Sequence, residues 1–264
     1  MTYETLKIEE KGRIVSIVLN RPDIRNAFDA KMISDLTSAF IGLSKRDDVS
    51  AIILRGEGKS FSAGADLGYM KSMASFSLEE NQRDAESLDR MFWAIRECPQ
   101  PVIGRIHGHA MGGALGLASV CDIVAAVDGT QFAFSEVRIG LAPAVISPYV
   151  LEKMAVSEAR RYMLSGEVFD CEEAYSSGLI QFYGTEQEVD EFVAGTSTTI
   201  DRNGIEAVRA TKKLLRDLDE TGEWGEKRAL TTKVIAARRV SAEGQEGLKA
   251  FLEKRSPSWM KSGK

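Results

Sequence analysis

Cysteine is scarce: there are three in 264 residues, at Cys98, Cys121 and Cys171, odd in number, widely spaced and without a CxxC pair. No disulfide framework can be read from them, and they are expected as reduced core or surface thiols in a cytoplasmic protein. Six prolines and 23 glycines exclude a collagen-like or Pro-rich disordered chain. No run approaches the ~20 consecutive apolar residues of a membrane span. The first residues, MTYETLKIEEKGR, have neither the apolar centre of a signal peptide nor the Arg/Ser bias of a transit sequence. Positive charge is in deficit: 34 Lys+Arg against 39 Asp+Glu give a net charge of −5. That argues against nucleic acid as the main partner, while leaving room for a local basic pocket. What remains, with 44% apolar and 28% charged residues, is an ordinary globular composition. A chain of this length makes one large domain or two small ones and buries a core that needs no staple.

The first two thirds alternate short apolar runs with amphipathic stretches. Arg13–Asn20 and Ala51–Leu54 are β-branched and lack polar alternation, which predicts strands buried on both faces. Between them Asp29 can cap a helix carrying Met32, Ile33, Leu36, Phe40 and Leu43 on one stripe. Ser77-Leu78-Glu79-Glu80 is a capping-box pattern opening a second helix, with Ala85, Leu88, Met91, Phe92 and Ile95 on its apolar face. Pro99 and Pro101 end it, and strands are expected at Val102–His107, Asp122–Val127 and Gln131–Phe134. From about Ser147 the pattern is mostly helical, with helices expected at Ser157–Ser165, Glu172–Ser177, Glu186–Thr196, Gly204–Leu218, Gly225–Val240 and Glu243–Lys254. The fold class is therefore α/β: an α/β core over 1–200, and a helical region over 201–264 packed on it or on a neighbouring subunit.

Three segments could carry chemistry. Gly108-His109-Ala110-Met111-Gly112-Gly113-Ala114-Leu115-Gly116 follows a strand and opens a helix, where N–H groups are unpaired and the helix dipole adds positive charge. Such a turn suits an anion, or an oxygen gaining negative charge, and glycines let a ligand approach the main chain. A dinucleotide fingerprint would need GxGxxG where this chain has GxxxGGxxG, with Asp128 as its acidic partner; a ligand-free strand–helix turn is the plain alternative. Phe61-Ser62-Ala63-Gly64-Ala65-Asp66-Leu67 is a second segment of small residues. In the third, Phe134 to Pro143, Glu136 sits between apolar residues, where desolvation would raise its pKa toward that of a usable acid/base. The alternative is a surface glutamate paired with Arg138.

Together the segments resemble the enoyl-CoA hydratase/isomerase (crotonase) family over essentially the whole chain. The marks are Arg21-Pro22 followed by Asn26-Ala27, then Ser62–Leu67, the glycine turn with Cys121-Asp122-Ile123, and Glu136 followed by Gly140-Leu141-Ala142-Pro143. The resemblance implies a ClpP-like spiral of ββα turns, a C-terminal helical trimerisation region, an acyl-CoA thioester as substrate, no separate cofactor, and a homotrimer or dimer of trimers. Carried over by motif, the oxyanion hole falls on the N–H groups of Ala65 and Gly113. Coenzyme A contacts fall on Ala63, Ala65, Asp66 and Leu67, the adenine being met by the Ala63 main chain. The acid/base falls on Glu136.

One departure stands out. Hydratases of the family use two glutamates; the second falls on Glu136, and the first on Gly116, which has no side chain. Isomerases of the family use a single glutamate at the Glu136 position, so a 3,2-enoyl-CoA isomerase is one alternative. A catalytically weak acyl-CoA-binding homologue is another. The stretches Ser62–Lys71 and Leu141–Tyr149 resemble bacterial methylglutaconyl-CoA hydratases of leucine breakdown, a subgroup with a small residue at the Gly116 position, and so favour hydration. The distal carboxylate of that substrate would need a cation or N–H partner, for which Lys71 and Arg83 lie nearest in sequence. His107 and His109 lie at i, i+2 with no acidic or third His neighbour to complete a metal set. Asp66 and Asp122 suit turns and caps, and Trp93, Trp224 and Trp259 suit packing or interface surfaces.

Overall fold

Strand β1 (Leu6–Lys11) turns at Gly12 into the antiparallel β2 (Ile14–Leu19). Helix α1 (Ala30–Ser44) follows, its N-terminus capped by Asp29, whose carboxylate accepts the Met32 N–H. It leads to β3 (Ala51–Gly56), parallel to β2. Helices α2 (Leu67–Met73) and α3 (Leu78–Arg96) then cross back to β4 (Val102–Ile106), parallel to β3; the expected capping box at Ser77 and Glu80 opens α3. A short strand β5 (His109–Met111) runs into α4 (Gly113–Val120). Next come β6 (Ile123–Val127), parallel to β4, and β7 (Gln131–Ala133), parallel to β5. A 3₁₀ turn at Glu136–Ile139 precedes α5 (Ser147–Lys153), α6 (Val156–Ser165), α7 (Cys171–Ser176) and β8 (Phe182–Gly184). Four helices close the chain: α8 (Glu186–Asp201), α9 (Ile205–Glu220), α10 (Trp224–Val240) and α11 (Ala242–Leu252). The structure is a computed structural model and describes residues 3–260.

The main sheet has the order β1-β2-β3-β4-β6-β8, so each turn of chain adds its strand beside the previous one. A second ladder grows in step. Ser62 bridges to Ala110, β5 pairs β7, and Phe132 bridges to Phe169. This repeated advance is the spiral of ββα turns. Side chains of the central strands alternate between two apolar layers, as a strand's period of two requires. Ile52, Leu54, Val102, Val124 and Ala126 join the large core under α1, α3 and α4, while Ile103 and Ala125 meet Val189 and Val193 of α8. All three cysteines are buried free thiols, and burial pushes Cys98 up to about 11 and Cys121 up to about 12.

The C-terminal helices are tied to the core by charge. Arg209 pairs with Asp47, Lys212 with Asp122 at 2.6 Å, and Arg216 with Glu97 at 3.0 Å. Asp122 is therefore no helix cap: its Oδ2 accepts the Val102 N–H at 2.7 Å and the Lys212 ammonium. No helix among the described residues is long and apolar enough to cross a membrane.

The loop after β2 is locked by Asn26, fully buried at a left-handed φ of 53°. Its Oδ1 accepts the Arg21 N–H at 2.8 Å, its Nδ2 donates to the carbonyls of Glu57 and Ser60, both at 2.9 Å, and its own carbonyl accepts the Ser62 hydroxyl. It thereby fixes where Ser62–Ala65 leaves the sheet. Leaving these buried groups unpaired costs ~1–3 kcal/mol. Asn26→Ala is accordingly expected to lower unfolding free energy by about 2 kcal/mol, read from the denaturant midpoint; an unchanged midpoint contradicts the lock.

Candidate active site

Two main-chain segments are forced into contact beneath the site. The Ser62 N–H donates to the His109 carbonyl at 3.1 Å and the Met111 N–H to the Ser62 carbonyl at 3.2 Å. Two residues on, Gly64 has φ +85°, and a Cβ there would stand 2.6 Å from the Met111 carbonyl oxygen, so only glycine allows this approach. Ala65 follows immediately, its place fixed by the parallel bridge to Phe28. On the facing segment Gly112 has φ +52° and Gly113 begins α4. Neither the Ala65 nor the Gly113 N–H makes a backbone hydrogen bond among the described residues. Both residues line one cavity of about 170 Å³. The Gly113 donor also lies at a helix N-terminus, where the peptide dipoles sum to partial positive charge.

Glu136 reaches the same cavity from β7. The Gly112 N–H donates to the Ala133 carbonyl at 2.9 Å, which brings the end of β7 beside the glycine turn. The Glu136 carboxyl then lies against Gly112: an added Cβ would stand 3.1 Å from its Oε1. Its Oε2 is buried with no hydrogen-bond partner among the described residues. Burial therefore pushes its pKa above the ordinary glutamate value. Arg138, the sequence neighbour that could have made it a surface pair, forms no ion pair with it among the described residues.

The missing first glutamate has a physical explanation. Gly116 is buried in α4, and a Cβ there would come within 2.5 Å of Ile146 Cγ2 and 2.6 Å of Phe92 Cζ. Two apolar side chains fill that space, so no side chain at this position could carry a second carboxylate without displacing them.

The remaining sequence candidates divide. Ala63 is half-buried; its N–H is spent on the Arg25 carbonyl at 2.9 Å. Asp66 caps α2 by accepting the Tyr69 N–H at 3.0 Å and faces Arg21 at 3.6 Å. Leu67 is 83% exposed. Lys71 and Arg83 are exposed and do not line the cavity. His107 and His109 go separate ways, to the Gly58 carbonyl and the Ser60 hydroxyl, and no cluster of three potential metal ligands occurs among the described residues. The sequence reading missed Tyr69 and Asp84, which also line the cavity. Asp84 follows Arg83 in a polar helical stretch and carries no motif that would separate it from a solvated carboxylate.

Comparisons with known proteins bear on the family and the fold. The model of the enoyl-CoA hydratase/isomerase family matches residues 9–262. A Thermus thermophilus protein carrying an enoyl-CoA hydratase name is 32% identical over 94% of this chain and 98% of its own. A trans-2-decenoyl-acyl-carrier-protein isomerase of Streptococcus mutans is 24% identical over 98% of this chain and 99% of its own. The solved structure of an enoyl-CoA hydratase from Shewanella pealeana superposes with a TM-score of 0.93, at 38% identity, over 97% of this chain and 96% of that one. The fold is the crotonase spiral, and the chain belongs to the enoyl-CoA hydratase/isomerase family.

Proposed function

We propose that the protein adds water across the 2,3 double bond of a short enoyl-CoA thioester, with Glu136 as acid/base and the N–H groups of Ala65 and Gly113 as oxyanion donors. The observation that carries this reading is the desolvated Glu136 carboxyl, with one oxygen unpartnered, in the cavity that both free N–H groups line. In the forward step Glu136 accepts a proton from water as the hydroxyl bonds to the β-carbon. The thioester carbonyl becomes an enolate oxygen, which the two N–H groups stabilise; one such donor is commonly worth ~3–4 kcal/mol. Glu136 then returns the proton to the α-carbon, so the water's hydrogen and hydroxyl both end on the substrate. The substrate's coenzyme A portion would run along Ala63, Ala65, Asp66 and Leu67.

A second reading has its own support. Phe92 and Ile146 fill the space at Gly116 and leave one carboxylate, and one carboxylate suffices for 3,2-enoyl isomerisation. Glu136 would take a proton from the α-carbon of a 3-enoyl thioester and return it to the γ-carbon. The methylglutaconyl assignment fares less well, because the acyl end offers Asp84 rather than a cation to its distal carboxylate.

The C-terminal helices support a trimer with residues 201–264 as its assembly region. Leu215, Trp224, Val240, Phe251 and Leu252 are 60%, 78%, 79%, 81% and 78% exposed on the single chain, an apolar surface suited to a second copy.

Glu136→Gln is expected to lower kcat on crotonyl-CoA roughly 10²–10⁴-fold; activity within a few-fold of the parent rejects Glu136 as acid/base. The carboxylate is the starting form in both readings, so activity falls as pH drops through its pKa. Burial raises that pKa, and the acid limb of kcat/KM is expected above the ordinary glutamate range; a limb at or below that range contradicts the desolvated site. Product analysis on a 2-enoyl-CoA and a 3-enoyl-CoA separates the two reactions: a 3-hydroxyacyl product from the 2-enoyl thioester, with the 3-enoyl thioester left unchanged, supports hydration, and migration of the 3-enoyl to the 2-enoyl thioester without hydroxylated product establishes the isomerase.

A further inference from the structure

Part of the cavity's lining is chemically unlike the rest. Beside Glu136, the main chain at Ala65 and Gly113 and apolar groups such as Leu88 and Ile146, the lining includes Asp84 of α3 and Tyr69 of α2. The Tyr69 hydroxyl donates to Asp84 Oδ1, which holds the carboxyl in place between the two helices. Asp84 is half-buried, and desolvation raises its pKa; it forms no ion pair among the described residues. Lys71 and Arg83 are exposed and do not line the cavity. Arg90 lines a neighbouring cleft that Asp84 also borders, and donates to the Ser87 hydroxyl at 2.6 Å.

We propose that Asp84, held by Tyr69, is a specificity-determining residue that excludes acyl groups ending in a carboxylate and reserves the cavity for short thioesters with a neutral tail. The inference rests on the acyl-CoA reading given above and adds the substrate class. Asp84 lines the same cavity, of about 170 Å³, as Glu136, Ala65 and Gly113, so an acyl group seated there comes near it. Two carboxyls brought together in a partly desolvated space cannot both remain ionised without repulsion, and either must take up a proton or leave. A methyl or methylene end meets Asp84 with no such conflict. The Tyr69 hydroxyl offers no rescue to an incoming carboxylate, since its proton is already directed at Asp84.

The test is equilibrium binding of two saturated thioesters that cannot be hydrated or isomerised, butyryl-CoA and glutaryl-CoA, measured by calorimetry at neutral pH. The parent protein is expected to bind butyryl-CoA at least tenfold more tightly. Asp84→Asn keeps the shape and removes the charge; it is expected to bring the two affinities within about threefold, through a gain for glutaryl-CoA. An unchanged melting temperature of the variant reports that it is folded. Equal affinities in the parent, or a ratio that Asp84→Asn leaves unchanged, overturn the proposal while leaving the acyl-CoA reading standing. Failure of both thioesters to bind the parent overturns that reading and this inference together.

Discussion

The contact between Ser62–Ala65 and Ala110–Gly113 is the constraint on which the rest depends. Two main chains can approach this closely only where no Cβ intervenes, and Gly64 stands against the Met111 carbonyl for that reason. The approach leaves two amide protons, at Ala65 and Gly113, without backbone acceptors at the edge of one small cavity. Each turn of chain adds one strand to the sheet and one short bridge to the inner ladder. The same ladder seats β7 beside Gly112 and so delivers Glu136.

Electrostatics then sorts the carboxylates. Glu136 loses solvent and meets no cation among the described residues, so its pKa is raised, which suits the proposed acid/base role. Asp66 and Asp122 are spent on main-chain N–H groups and on Arg21 and Lys212. Asp84 lies between these cases, partly desolvated but engaged by a neutral phenol. Three kinds of environment thus give one residue class three duties, without any metal ligand set among the described residues.

Much of this was legible in the sequence because it has a local cause. The β-branched runs at Ile14–Leu19 and Ala51–Gly56 are parallel strands, as expected, though Ile14, Ser16, Ile53 and Arg55 are only half-buried and border a cleft where burial on both faces was expected; Asp29 and Ser77 cap the helices they precede. Strand β1 was not legible: Leu-Lys-Ile-Glu-Glu-Lys is an edge strand whose outer positions are charged. Strands β5 and β8 have three residues each, too few to show a period, and α2 announces itself only through its Asp66 cap. In the site, residue type singled out the glycine turn and Glu136 as candidates, and only the resemblance to the family gave them roles. The filling of the Gly116 space by Phe92 and Ile146, and the meeting of Tyr69 with Asp84, join residues from different elements. No local pattern encodes such meetings.

The convergence of two amides on one thioester oxygen is tested most directly by the infrared carbonyl stretch of a carbonyl-labelled butyryl-CoA bound to the protein. Hydrogen bonding from Ala65 and Gly113 polarises that bond, and the account predicts a shift to lower frequency than the same thioester shows free in water. A bound thioester whose carbonyl stretch stays at, or rises above, its free value would contradict it.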